Sequence, residues 1–482
     1  MNCKIKRQKI SITLILALLL ISACSRFYGV SPSPSLFKPG DPTATPLGSD
    51  ITDPNFIKGV DAFNQKNYEE VMKFMSAVIE ADPNLAPPYR YRGVAYWGLG
   101  DCQSGLADAE KALSINPDYG AAWGVRGLMY SCLGNQKQAL QDYQKALSID
   151  PSLAFIHHNL GVYYYQQGDY EKSLEEYSLS VSIDPYRAGA WSGKSEALAK
   201  LGNFIECIQS ATKAIEVDPT EWLAYAERGF CELNINNFAA GENDYKVYLA
   251  QKPNDPEAWV NLGYAQDKNS KPKEAINSYN RALELNPSHS LAFINRGNVF
   301  VTLKEYKKAL DDFNHALEFG DFSAAYSGRG TAYYWLGKYE EAIADLEAAR
   351  RLAPEKHQSY CMLALTYFEL ERYQDALDSA ATASQIAPGC GGQLLLETQS
   401  RSYYALGDYQ QALLYINKAI DMNAYMAGYY SGYYYRGIIY QTTERNEEAI
   451  SDLERFLLLT QDTNDFKEEV TDAKERLEEL KK

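Results

Sequence analysis

The sequence predicts an all-α fold: a solenoid of stacked helix-turn-helix units. Three observations predict it. Prolines recur 34 residues apart at Pro83, Pro117, Pro151, Pro185, Pro219, Pro253 and Pro287. A proline removes a backbone donor and clashes with the preceding turn, so each one ends a helix at the same point of a repeated unit. Small residues keep register with them at Gly59, Gly93, Gly127, Gly161, Ser195, Gly229, Gly263, Gly297, Gly330, Ala364, Ser400 and Gly437. Twelve residues later a second small row includes Ala139, Ala275, Ala309, Ala342, Ala376, Ala412 and Ala449. Two helices approach closely only where both lack bulk, so the paired rows mark a helix crossing inside each unit. The third observation is an aromatic row three residues after the first small row: Tyr96, Tyr130, Tyr164, Phe300, Tyr333, Tyr367, Tyr403 and Tyr440.

A chain of 482 residues would ordinarily hold about three domains. A solenoid escapes that estimate, because its core lengthens along one axis as units are added. Hydrophobic content of 46% supplies a packed core, and the 38 tyrosines suit surfaces that are apolar on one side and wet on the other. The formal net charge is -16. Such an acidic chain repels phosphate backbones, which argues against nucleic-acid binding, and the charge reads as solubility.

Taken in chain order, residues 1–23 read as a signal. Lys4, Lys6, Arg7 and Lys9 precede the apolar run Ile10–Ile21, and small residues follow. Removing those four basic groups leaves 43 basic against 63 acidic residues, a net of -20. The apolar run of 12 residues is too short to span a membrane, which takes about 20. Ile21-Ser22-Ala23-Cys24 resembles the lipobox of bacterial lipoproteins. The resemblance implies cleavage before Cys24 and lipidation of that residue, including a fatty acyl chain such as palmitate. Ile21 stands where leucine is commoner. Several acyl chains anchor a protein stably, where one is marginal. Ser25, rather than aspartate, follows the cysteine, which in a bacterium with two membranes favours the outer one. Residues 24–52 are rich in proline, serine, threonine and glycine and read as an extended tether.

The repeat array spans 53–460. Between its helices stand turn signals such as Gly100-Asp101, Gly134-Asn135, Gly168-Asp169, Gly202-Asn203 and Gly407-Asp408, where glycine gives a helix end its backbone freedom. Trp123, Gly127, Tyr130, Ala139, Tyr143 and Pro151 together resemble the signature of the tetratricopeptide repeat, whose unit is a 34-residue helix-turn-helix. The resemblance implies a right-handed superhelix of about twelve units. The spacing loses one residue after Leu317 and lengthens at Gly389–Gly392 and Ala424–Gly432, where loops are expected. Residues 461–482 are expected to form a capping helix, with Val470, Ala473, Leu477 and Leu480 along one stripe.

One pattern lies outside the general signature. Six repeats carry an arginine just before the small residue: Arg92, Arg126, Arg228, Arg296, Arg329 and Arg436. Sixteen residues downstream of each stands an aspartate: Asp108, Asp142, Asp244, Asp312, Asp345 and Asp452. The other six repeats have Phe74, Glu176, Ser210, Ser278, Ser379 or Tyr415 at that place. The pairing predicts a salt bridge joining the two helices of a repeat, with the guanidinium presenting a two-pronged fork to the carboxylate. Shared descent of the six repeats would leave the same pattern.

In tetratricopeptide proteins the first helices line a concave groove. The resemblance places Phe63, Trp97, Tyr165, Tyr334, Phe368 and Tyr404 along it, where aromatic side chains suit extended or helical peptides. Sugars stacking on these rings are the alternative ligand. Some relatives grip a terminal carboxylate with lysine and asparagine. Asn261, Asn295 and Asn298 fit that pattern, but Val260 and Ile294 stand where lysines are needed.

No catalytic constellation is present, and no cofactor is called for. Ser192-Gly193-Lys194-Ser195 resembles the end of a phosphate-binding loop, but Ala188 stands where its first glycine belongs and the stretch falls inside a repeat helix. His157 and His158 are adjacent, so they point about 100° apart on a helix and do not share a metal. No zinc spacing occurs. Among Cys102, Cys132, Cys207, Cys231, Cys361 and Cys390, the couple best placed for a disulfide is Cys207 with Cys231; small buried thiols are the other reading. The sequence therefore predicts a non-enzymatic scaffold, lipid-anchored outside the bacterial cytoplasm and binding proteins or peptides. A carbohydrate- or polymer-binding lipoprotein is the alternative.

Overall fold

The computed structural model describes residues 52–422, 430–461 and 466–482. The signal, the lipobox with Cys24 and the tether lie outside the described residues. These hold 25 α-helices and no strand. The first helix is Pro54–Asn64, capped by the Asp53 carboxylate on the Asn55 and Phe56 amides. The last paired helix is Asn446–Thr460, and Lys467–Leu480 follows it.

Two compact units meet between Glu274 and Ala275. The first holds six helical hairpins, from Pro54–Asn64 with Tyr68–Ala81 to Trp222–Asn234 with Phe238–Gln251. The second holds five, from Ser290–Thr302 with Tyr306–Glu318 to Ser431–Thr442 with Asn446–Thr460. The helices Pro256–Lys268 and Pro272–Leu285 stand between these two sets in the chain.

The periodic residues explain each hairpin. Every second helix that meets the proline row stops two residues short of it, as Cys102–Ile115 does before Pro117, and its cap Asn116 turns extended. The residue before a proline is held out of the helical region in this way. The proline carbonyl then receives a bond from the next helix. The indole N–H groups of Trp123, Trp191 and Trp259 donate to the carbonyls of Pro117, Pro185 and Pro253 at 2.8 Å. At the crossing, a Cβ added to Gly93 would lie 3.2 Å from the Gly105 carbonyl oxygen, and one on Gly127 3.1 Å from that of Ala139. Where serine stands in the first row, Ser400 donates its hydroxyl to the Ala412 carbonyl at 2.8 Å. Beside the crossings sit fully buried Tyr143, Tyr245, Tyr279 and Phe313.

The turn within each hairpin needs one left-handed residue. Gly100, Gly134, Gly168, Gly202, Gly337 and Gly407 supply it with φ from 74° to 85°. Six other repeats adopt the same conformation without glycine, at Lys66, Asn236, Ser270, Lys304, Glu371 and Glu444, with φ from 57° to 63°.

Of the two lengthened spacings, Gly389-Cys390-Gly391 lies between helices, whereas Gly392 already opens the helix Gly392–Ala405. Residues 424–429 lie outside the described residues, and Ser431 opens the following helix. The final helix packs Ala473 and Leu477 against Tyr434, Leu453 and Phe456, with Val470 and Leu480 half-buried beside them. Within the first unit the stack curves until Lys66, in the first hairpin turn, brings its ammonium 3.9 Å from Asp218 in the connection after the fifth repeat.

Candidate functional site

The arginine row gives the array its most regular polar contact. Arg92, Arg126 and Arg329 donate from Nε to Oδ2 of Asp108, Asp142 and Asp345 at 2.7 Å and from Nη2 to Oδ1 at 2.8 Å. Arg228, Arg296 and Arg436 hold Asp244, Asp312 and Asp452 in the same two-pronged way, between 2.6 and 2.9 Å. All six aspartates are buried. Donating to its aspartate pushes each of Arg92, Arg126, Arg228, Arg329 and Arg436 above the ordinary arginine value. At Asp312 burial outweighs the arginine, so its carboxyl is raised.

Two features of this contact escape the sixteen-residue pattern. A third arm, Nη1, reaches back to the preceding repeat. It donates to Ser76 from Arg92 at 3.0 Å, to Thr212 from Arg228 at 3.3 Å, and to Asn314 and Asn417 from Arg329 and Arg436 at 2.7 Å. Arg296 donates likewise to Asn280. Arg126 is the exception: Glu110 stands at the upstream place and acts on it through charge alone. In addition, each guanidinium lies over the aromatic ring three residues before it. The rings are Tyr89, Trp123, Tyr225, Phe293, Tyr326 and Tyr433, at 4.4 to 5.7 Å. An aromatic-x-x-Arg spacing signalled this shelf. These contacts tie helices and neighbouring repeats together and leave no free group for chemistry.

The groove residues divide. Phe63 is a correction: at 4% exposure it is core, sealed by Tyr91 edge-on at 5.1 Å and by the Arg90 guanidinium. The other five are half-buried. Four of them lean on the first residue of their own second helix: Tyr165 on Tyr170, Tyr334 on Tyr339, Phe368 on Tyr373 and Tyr404 on Tyr409, with ring centroids 5.3 to 5.8 Å apart. Trp97 packs on the core of the first repeats. Burial, Glu196 and Glu227 hold the Tyr165 phenol far above its usual value, so it remains a hydrogen-bond donor.

The structure gathers only part of this row. In the second unit Tyr334 and Phe368 pack on one apolar cluster. Arg401 inserts its guanidinium between the rings of Phe368 and Tyr435, at 4.6 and 4.5 Å, with Glu397 3.5 Å away. Burial opposes that charge, and Tyr435, Glu397, Glu369 and Tyr334 outweigh it. Tyr404 adds a hydroxyl contact to Thr442 at 3.1 Å. Sequence reasoning missed Arg401 because it follows the small residue instead of preceding it. The asparagines do not form a clamp. Asn261 donates to the Tyr245 hydroxyl at 2.9 Å, and Val260 and Ile294 are core.

The cysteines correct the reading of isolated thiols. Cys207 is joined to Cys231, and Cys102 to Cys132. Cys361 and Cys390 are thiols with sulfurs 3.3 Å apart. The two histidines separate as their helix dictates. His157 Nδ1 lies 2.7 Å from Glu176, and His158 stands edge-on to Tyr177 with burial pulling its imidazole down to about 3. No group of three metal-ligating side chains occurs among the described residues. Lys194, from the loop-like stretch, lies inside the helix Ala188–Lys200.

Comparison with known proteins agrees with the hairpin geometry. A family model described as "TPR repeat" matches residues 127–168. Models described as "Tetratricopeptide repeat" match 154–187, 188–221, 256–289, 321–389 and 398–465. Hsp70-Hsp90 organizing protein 3 of Arabidopsis thaliana is 36% identical over 62 residues, 13% of this chain and 11% of that protein. The Hsp70-Hsp90 organizing protein of Triticum aestivum is 33% identical over 69 residues, 14% of this chain and 12% of its own length. The chain thus spans only about a ninth of these relatives. Among solved structures, the APC/C hetero-tetramer Cut9-Hcn1 is 15% identical, with a TM-score of 0.47, covering 89% of this chain and 97% of that one. Pseudomonas aeruginosa pilF is 15% identical with a TM-score of 0.40, over 43% and 94% of the two chains. YrrB, a TPR protein with an unusual peptide-binding site, is 22% identical with a TM-score of 0.32, over 38% and 93%. Six matches spread from residue 127 to 465, on hairpins with this crossing and this turn, make the chain a tetratricopeptide-repeat protein.

Proposed function

We propose that this chain is a lipid-anchored scaffold of the bacterial cell envelope that docks an extended segment of a partner protein. The observation that carries the reading is the half-buried aromatic set Tyr334, Phe368 and Tyr404 on successive first helices, with the Arg401 guanidinium seated on Phe368. Rings already braced by neighbours lose little freedom on binding, and they offer flat apolar area beside a fixed cation. Trp97 and Tyr165 present a similar face in the first unit. The Hsp70-Hsp90 organizing relatives, whose names speak of chaperone assembly, support a protein ligand over a sugar. The anchor rests on the order of basic, apolar and small residues before Cys24. The two disulfides and the near pair Cys361–Cys390 support an oxidising compartment outside the cytoplasm.

Crosslinking in membranes with mass spectrometry tests the docking role. Trp97→Ala and Tyr334→Ala should remove the dominant crosslinked partner; an unchanged pattern rejects the groove. Labelled palmitate should enter the wild type and not Cys24→Ser. Equal labelling of both rejects the anchor and leaves the docking test intact.

A further inference from the structure

The fifth repeat keeps half of the fork and lacks the rest. Trp191 occupies the aromatic shelf, pinned by its bond to the Pro185 carbonyl, and Lys194 stands in the arginine row with its ammonium 5.4 Å from the ring centroid. The aspartate place is Ser210, and the upstream place on the preceding repeat is Ser178. In the six forked repeats the corresponding space is filled by guanidinium and carboxylate. Here it is an open pocket of about 730 Å³ between the helices Tyr170–Ile183, Ala188–Lys200 and Phe204–Val217. Trp191, Leu174 and Leu198 give it apolar walls, Lys194, Ser178 and Ser210 line it with donors, and the exposed Glu206 carboxylate also lines it. No carboxylate of the described residues pairs with Lys194, and burial alone pulls its ammonium below the ordinary lysine value. Lys213, also at the pocket, is already held by Glu216 at 2.6 Å.

The other repeats act as internal controls. In the first, Lys58 in the same row faces Phe74 at 5.9 Å. In the fourth, Glu176 at the aspartate place is taken by His157 at 2.7 Å. In the tenth, Leu363 and Ser379 replace the pair, and the remaining cavity is about 160 Å³. Only the fifth combines a cation on an aromatic shelf, an absent anion and a pocket of ligand size, a range of about 300–1,000 Å³.

We propose that this pocket binds a small organic carboxylate with an apolar body. Its carboxylate takes the place of the missing aspartate against Lys194, Ser178 and Ser210, and its body lies on Trp191, Leu174 and Leu198. A single negative charge matches the Lys194 ammonium, and the exposed Glu206 carboxylate disfavours a second one. None of the groove aromatics lines the pocket, so the site stands apart from the docking surface and its failure leaves that reading untouched.

Titration calorimetry of the full chain with 1-naphthaleneacetate and its neutral amide provides the test. The acid should bind at least tenfold more tightly than the amide. Lys194→Gln should erase that difference. The double variant K194R/S210D, which installs the pair native to six other repeats, should bind neither while melting no lower than wild type. No uptake of the acid at millimolar concentration, equal binding of acid and amide, or undiminished binding to K194R/S210D overturns the proposal.

Discussion

At the residue scale, the fork costs more to halve than to remove. A buried ion pair that loses one partner leaves an uncompensated charge, worth about 3–5 kcal/mol, whereas replacement of both partners is often near neutral. Two repeats already show the replaced state, with Leu262 and Ser278 in the seventh and Leu363 and Ser379 in the tenth. Asp312→Ser alone should therefore lower stability by about 3 kcal/mol in denaturant unfolding, because Arg296 stays behind. The double variant R296L/D312S should recover more than half of that loss; an additive double variant would mean that the two side chains do not interact. The link between arginine and aspartate was legible because both residue types are fixed and their spacing never changes. The third arm was not. Its acceptors are serine, threonine or asparagine, and the spacing slips where Asn314 and Asn417 adjoin an altered repeat length. Phe63 misled because its column in other repeats is half-open, and only the neighbours Arg90 and Tyr91 decide that it is covered.

At the element scale, hairpin turns set the register and carry an unequal load. A left-handed residue with a side chain is strained by roughly 1 kcal/mol relative to glycine. Glu371→Gly and Lys304→Gly should each raise the midpoint of unfolding, through a gain in stability of up to about 1 kcal/mol, the entropy of glycine in the unfolded chain offsetting part of it. Ala at either position should give no such gain, and a lowered midpoint for the glycine variants would refute the strain. The turn glycines were readable as helix ends. That Lys66, Asn236 and Ser270 adopt the same conformation was not, because the tertiary crossing imposes it against local preference. The disulfide between Cys102 and Cys132 was missed for a related reason. The start of one second helix meets the end of the next first helix some 30 residues on, a contact made also by Tyr306 with Trp335 and by Tyr339 with Glu369. Aromatic and polar residues share that contact as readily as cysteines do, so no residue type announced it.

At the scale of the whole molecule, the curvature of the first unit brings charges distant in the chain together. Burial, aided by Asp218 and opposed by Lys66, pushes the Glu221 carboxyl up to about 7 from its unfolded 4.5. The folded state thus holds this proton more tightly than the unfolded one. Its contribution is fully present below about pH 4.5 and fades as pH rises through about 7, by on the order of 1–3 kcal/mol. Glu221→Gln should flatten that part of the pH–stability profile, and a profile identical to wild type would remove Glu221 as its source.

The arginine arms and sulfur bridges are not spread evenly along the array. Arms stitch the first repeat to the second, the fifth to the sixth, the seventh to the eighth, the eighth to the ninth and the eleventh to the twelfth. The disulfides secure the second to the third and reinforce the fifth with the sixth. Neither device guards the seams on both sides of the fourth and tenth repeats, or the seam between the sixth and seventh. Under load or gentle warming the chain should part there in blocks, and amide deuterium uptake should rise first in the fourth and tenth repeats. A partner that bridges one of those seams would then stiffen the array as it docks, making the uneven stitching a means of sensing occupancy.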